Sequence, residues 1–209
     1  MTETLADVDT AAAVLAAARS SRSIADAEEA RLLQLAVAWA AMHSTESLAD
    51  AAVTYDPGFG ETEVPVAGPG APLVAEFSVP EFAAAIGMPT EAGKAYIGEA
   101  VELRYRLPRT WQRVVRGDLV AWKARRIAKS TIALSPEAAR FVDDRVAPFA
   151  HTIRLSQLER TIQTAIARCM PEEAEAQRLA AADSRGFHIG QQHSGIDGTV
   201  DVWGTLDVA

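Results

Sequence analysis

The chain has one cysteine, Cys169, in 209 residues. A single thiol forms no internal disulfide, and it excludes a Cys-based zinc site. Long apolar runs are missing too. The best, Leu35 to Met42, falls short of the roughly 18 residues that a membrane span needs, so no membrane segment is expected. The first residues, Thr2-Glu3-Thr4-Leu5-Ala6-Asp7, carry no basic n-region, which argues against a secretory start. The compartment these absences predict is the cytoplasm. Positive charge is scarce as well: 20 Lys+Arg stand against 28 Asp+Glu, for a net charge of −8. A protein that is basic all over is excluded, and any contact with a polyanion has to come from a local patch.

Such a patch exists. Between Lys94 and Lys129 lie 10 of the 20 basic residues, against only Glu99, Glu102 and Asp118. The segment carries +7 and the rest of the chain −15. Sorting like charge in this way costs self-repulsion and calls for a reason.

Alanine-rich stretches dominate, and alanine is the best helix former. Residues 7–19 read as a weak helix and 24–43 as a stronger one, with Ile24, Leu32, Leu33, Leu35, Ala36, Trp39 and Met42 at helical spacing. Prolines and glycines between 54 and 74 then break all periodicity, which predicts a loop or linker. Helices follow in quick succession. One runs between Pro80 and Gly87, one from a Thr90 cap to about Arg106, and one from Pro108 to a stop at Gly117. Asp118 is expected to cap a helix from Leu119 to about Ile132. Further helices start at Ser135-Pro136, Ser156 and Pro171. The period then changes to two: Val200, Val202, Leu206 and Val208 alternate with polar or amphipathic residues, a half-buried strand with Phe187–Gln192 as its partner.

The expected fold is therefore mainly α: one compact multi-helix bundle of seven or eight helices over 1–209, with a C-terminal β-hairpin. The chain stops as the last strand ends, which is expected of a domain truncated at its C-terminus. The predicted core contains Leu32, Leu35, Trp39, Tyr96, Leu103, Trp111, Val115, Ile127, Phe141, Val142, Leu158 and Ile162.

Most candidate catalytic groupings fail on chemistry. Gly87 to Ala95 resembles a phosphate-binding loop, but five residues separate Gly87 from Gly93, and Ala95 stands where a hydroxyl is needed. His188 and His193 are five apart, so on a strand they point to opposite faces. Asp197 and Asp201 are near them, but no third ligand has suitable spacing. No metal or other cofactor is expected. Cys169 beside Met170 reads as packing.

The basic segment is the stronger candidate. Arg109, Arg113 and Arg116 are spaced four and three apart, one stripe of a helix. Trp111 and Val115 are expected on its core side. On the following helix Leu119, Ala124, Ile127 and Ala128 mark an apolar side, while Trp122, Arg125, Arg126 and Lys129 share another, with Lys123 beside them. A tight turn at Gly117-Asp118 joins the two helices, so their cations can form one surface for DNA phosphates. Trp122 could stack on an exposed base. A plain solvated face accounts for the same pattern, as does docking on acidic parts of the chain or of a partner. Glu102 and Arg106, at i,i+4, can pair locally and remove one charge from the patch.

The segment Gly117-Asp-Leu-Val-Ala-Trp-Lys-Ala-Arg-Arg-Ile-Ala128, preceded by Leu107-Pro108 and followed by Leu134-Ser-Pro-Glu-Ala138, resembles the domain-of-unknown-function family 222, the 13E12 repeat family of actinobacteria and their phages. The ending Gly198-Thr-Val-Asp-Val-Trp-Gly-Thr-Leu-Asp-Val-Ala209 is similar to the family's strand, and the resemblance spans roughly residues 25–209. It implies a helical region that precedes an HNH endonuclease module, with DNA and that module as partners. The family's catalysis belongs to the HNH module, which needs histidine and asparagine. This chain contains no asparagine, so no catalytic residue carries over.

The function expected is thus a non-catalytic helical domain of an HNH endonuclease-like protein. It engages DNA backbone through Arg109, Arg113, Arg116, Lys123, Arg125, Arg126 and Lys129, with Trp122 among them. The alternative is a structural or interaction module whose basic face docks on an acidic surface.

Overall fold

The computed structural model describes residues 10–44, 63–183, 186–189 and 202–205. Helix α1 spans Ala11–Met42 without a break. Thr10 starts it by accepting the Ala13 N–H on its Oγ1 at 3.2 Å. The two expected segments are one helix because Ser20, Ser21 and Ser23 are weak helix formers but the stretch includes no glycine or proline to stop it. Only its second half is buried, along a stripe of Ala30, Leu33, Ala36 and Ala40 spaced three and four apart. Leu35 lies off that stripe and is 52% exposed, so it is not core, and Trp39 is only partly buried.

After residues 45–62, which are not described, β1 (Glu63–Val64) pairs antiparallel with β2 (Val74–Ala75). Between these two short strands, from 65 to 73, the chain is irregular, as its prolines and glycines predict. It is nevertheless pinned: Val74 and Ala75 are buried, and the Gly68 N–H reaches the Glu102 carboxylate. The first part of the expected loop lies outside the described residues.

Helix α2 (Ser78–Ala85) leads into α3 (Thr90–Tyr105), the central helix of the bundle. Tyr96, Ile97, Glu99, Ala100, Val101, Glu102 and Leu103 are all buried, because α1, α2 and two later helices pack on different sides of α3. Thr90 is the first helical residue and not a side-chain cap; Pro89 precedes it.

Helix α4 (Pro108–Val115) buries Thr110, Trp111 and Val114. Val115, expected in the core, is one residue further round the helix from Val114 and is 49% exposed. Gly117 (φ +78°) then reverses the chain. Its N–H donates to the Val114 carbonyl, and the Asp118 N–H donates to that of Arg113, a left-handed helix end that only glycine adopts cheaply. This turn takes the Asp118 N–H, and the next helix begins too far along the chain for Asp118 to be its N-cap. Helix α5 (Ala121–Thr131) begins two residues later than expected, with Val120 at its N-cap and no side-chain cap. Its buried face is Ala121, Ala124, Ile127, Ala128 and Thr131, with Leu119 buried just before it.

Helix α6 (Pro136–Val146) is capped by the Ser135 hydroxyl and runs on into one 3-10 turn, Ala147–Phe149. Helix α7 (Leu155–Cys169) lies against α6, and α8 (Pro171–Asp183) against α7. Phe141 and Ile162 are partly buried at the core's edge; Val142 and Leu158 are fully inside. Strands β3 (Gly186–Ile189) and β4 (Val202–Thr205) form an antiparallel pair, with Gly186 opposite Thr205 and Ile189 opposite Val202. The chain is thus mainly α, with eight helices among the described residues. None of these is long and apolar enough to cross a membrane.

Candidate nucleic-acid interface

The basic segment is anchored by a buried acid from α6. Helix α4 begins at Pro108, which has no N–H, so the donors of Arg109 and Thr110 are the first that need partners. Asp143, 1% exposed, supplies both: Oδ2 accepts the Arg109 N–H and Oδ1 the Thr110 N–H, each at 2.9 Å. The Thr110 hydroxyl adds a bond of 2.7 Å to Oδ1. A carboxylate also suits the positive end of the α4 dipole. This contact fixes α4 on α6 and sets where its arginines emerge.

Three of the expected cations have partners within the chain. Arg113 reaches across to the end of α6, where Nη1 donates to the carbonyls of Ala147 (2.7 Å) and Pro148 (2.6 Å), and Nη2 lies 3.3 Å from Nδ1 of His151. A cation over the last carbonyls of a helix is a capping arrangement. Arg125 turns back to α3, its Nε 2.6 Å from Glu99 Oε2 and its guanidinium 4.3 Å from the Tyr96 ring centroid. Arg109 meets Asp144 at 3.1 Å with both side chains largely exposed, a pair that holds little energy.

Burial pushes the Tyr96 hydroxyl up to about 12, against the opposing pull of the Arg125 charge; the Glu29 and Glu99 charges add to the rise.

Four cations are left for a ligand. Lys123 donates to the His151 carbonyl and sits 5.6 Å from the Trp122 ring centroid, but keeps donors to spare. Arg116, Arg126 and Lys129 are exposed, and their side chains meet no partner among the described residues. The Gly117 turn keeps Arg116 next to α5 in the chain.

Trp122, Lys123 and Arg126 line an open cleft of about 220 Å³ between α5 and the start of α7. Ile127, Ala150, Ile153, Leu155 and Leu158 give it an apolar lining, and Arg154 lines it as well. Trp122 is 48% exposed. Arg154 is absent from the sequence reading: it is 28 residues from Arg126, and nothing local in its own stretch marks it. The seven expected cations are divided in their contacts: Arg113 and Lys123 meet at His151, between α6 and α7, whereas Arg109 turns to Asp144 on α6 and Arg125 to Glu99 on α3, and Arg126 lines the cleft with Lys123.

A second charged cluster lies in the core. Glu102, fully buried, accepts from Arg106 Nη1 on both oxygens (2.8 and 2.9 Å), from Thr131 Oγ1 (2.8 Å) and from the Gly68 N–H (3.0 Å). Arg106 Nη2 donates to the Leu134 carbonyl. A Cβ on Gly68 would fall 1.6 Å from Arg106 Nη1, so glycine is required there by contact and not by φ. This cluster joins the 63–75 segment, α3 and α5, and Arg106 does not belong to the surface patch.

Among the described residues no group of three or more His, Cys, Asp or Glu could hold a metal. His193 lies outside the described residues, as does the turn between the last two strands.

The model of the family described as Domain of unknown function (DUF222) matches residues 72–207, more than half of the chain. The chain belongs to the DUF222 family. The match starts at β2, so α1 and β1 of this DUF222 protein precede it, later than the resemblance from about residue 25 implied. It includes α4, α5 and the Trp122 cleft. No curated protein and no solved structure matches the chain.

Proposed function

We propose that this chain is a non-catalytic helical domain of an HNH endonuclease-like protein and that it holds DNA by its backbone. The observation that carries this reading is the set of four cations, Arg116, Lys123, Arg126 and Lys129, on two successive helices of a chain whose net charge is −8. Three of them have no side-chain partner among the described residues, and no structural role in the bundle accounts for them. Lys and Arg on a phosphate backbone release counterions, which is favourable at any sequence. Arg113 and Arg125 hold the two helices in place, and with Arg109 they add field without direct contact.

The test is duplex binding as a function of salt. Four phosphate contacts give a fall of about 3.6 log units in affinity per tenfold rise in salt. No duplex binding at low salt, or binding indifferent to salt, would sink the proposal. The tie to a nuclease is tested separately, by whether a reading frame beyond Ala209 encodes a His-Asn-His module.

A second reading is favoured by a specific observation: Arg109 and Arg125 pair with carboxylates, and Arg113 with carbonyls, all of this chain. On that reading the basic segment is a structural or interaction module that docks on acidic surfaces. Reversal of Arg126 and Lys129 to glutamate, with DNA affinity unchanged, would favour it.

A further inference from the structure

We propose that the Trp122 cleft takes one unstacked base of single-stranded DNA, with the neighbouring phosphates on Arg126 and Arg154. The inference rests on the DNA reading above and adds a preference for single strands. Three features of the cleft carry it. First, Trp122 stands at its edge with 48% of its surface exposed, so its ring is accessible to a ligand. Second, Lys123, Arg126 and Arg154 line it, while no carboxylate does, so the local field favours an anion in a protein with an acidic surplus. Third, the rest of its lining is apolar and its volume is about 220 Å³. That is below the roughly 300 Å³ at which pockets for whole drug-sized molecules begin, and it suits a single planar ring.

An aromatic platform beside cations is how proteins hold single strands: bases stack on the ring, and the backbone follows the charge. A duplex keeps its bases stacked inside and offers this cleft only phosphates. Lys123 donates to the His151 carbonyl and lies by the Trp122 ring, so a cation already stands beside the stacking platform. An acidic peptide would satisfy the cations but leave the indole and the apolar lining uncovered.

The experiment measures binding of labelled oligonucleotides to the full chain: dT12, an abasic strand of the same length, a 12-base-pair duplex and rU12. dT12 is expected to bind about tenfold or more tighter than the abasic strand, and to quench tryptophan emission. Trp122→Ala should weaken dT12 by about 5- to 140-fold and leave the duplex within about twofold. Trp122→Phe, which keeps a stacking face, should retain most of the dT12 affinity; if Trp122→Ala unfolds, the comparison of Trp122→Phe with the abasic strand decides alone. Equal binding of dT12 and the abasic strand overturns base insertion while leaving backbone binding standing. Binding of none of the four at low salt overturns both. A tenfold preference for rU12 overturns the assignment to DNA, and displacement of dT12 by an oligo-glutamate of equal charge overturns it in favour of a protein partner.

Discussion

Glu102 and Arg106 sit one turn apart on α3 and face each other inside the protein, Nη1 2.8 Å from Oε1, with side chains 0% and 4% exposed. An i,i+4 pair of this kind is usually a surface ornament. Here Gly68, Thr131 and Leu134 add hydrogen bonds to both partners, leaving only Arg106 Nε buried without one, and the pair becomes the joint between three parts of the fold. Removing one partner leaves the other charge buried alone. Glu102→Ala is expected to cost about 3–5 kcal/mol, read as a lower denaturation midpoint in urea. Replacing both residues together, Glu102→Leu with Arg106→Met, should recover a large part of that loss. A double variant as unstable as the single one would show that the pair is not the joint.

Asp143 acts at a distance from its own helix. It satisfies two backbone donors and a hydroxyl at the start of α4. Asp143→Ala leaves them buried without acceptors and should destabilise by about 2–4 kcal/mol. Asp143→Asn keeps one acceptor oxygen and should cost about half as much. Because α4 carries Arg113 to the end of α6, Asp143→Ala should also raise hydrogen exchange at the 147–153 turn. An exchange pattern unchanged there would argue against the coupling.

Tyr96 predicts an alkaline limit. Its hydroxyl ionises near 10 when unfolded and near 12 in the fold, so the folded state holds the proton more tightly. The associated stability is fully present below pH 10 and is lost as the pH rises towards 12, with a slope of up to about 1.4 kcal/mol per pH unit. Tyr96→Phe removes the ionising group. Urea midpoints between pH 9 and 11.5 should fall less steeply for the variant than for the native chain, and parallel curves would refute the assignment.

The cations divide by task, and two substitutions separate them. Arg126→Ala should leave stability within about 0.5 kcal/mol, as exposed substitutions do, and lower the salt slope of DNA binding by about 0.9. Arg113→Ala should do the opposite. It removes the cap at the end of α6 and should cost about 1–2 kcal/mol with little change in the slope. Equal effects of the two on DNA binding would contradict the division.

Helix positions were largely legible in the sequence because their signals are local. Pro108, Gly117, Ser135-Pro136 and Pro171 punctuate the chain wherever the backbone chemistry changes, and the observed helices start or stop within a few residues of them. The period-two ending likewise became an antiparallel pair. The misreadings occurred where a residue had two uses. Asp118 has the chemistry of a cap, but it belongs to the Gly117 turn, and the helix starts only at Ala121. Val115 and Leu35 have the hydropathy of core residues, but the neighbouring helices cover the adjacent stripe.

The sequence alone determined a helical bundle, a chain acidic except in one basic segment, and the order of its elements, since propensity, capping and net charge depend on near neighbours. Which cations remain free was decided only by the tertiary structure. Arg113, Arg125 and Arg126 look alike in the sequence, but one meets the carbonyls at the end of α6, one meets Glu99, and one is left at the rim of a cleft beside Arg154. Their partners come from 26 to 35 residues away. Contacts at that separation depend on how helices pack, and no local pattern of residues encodes them.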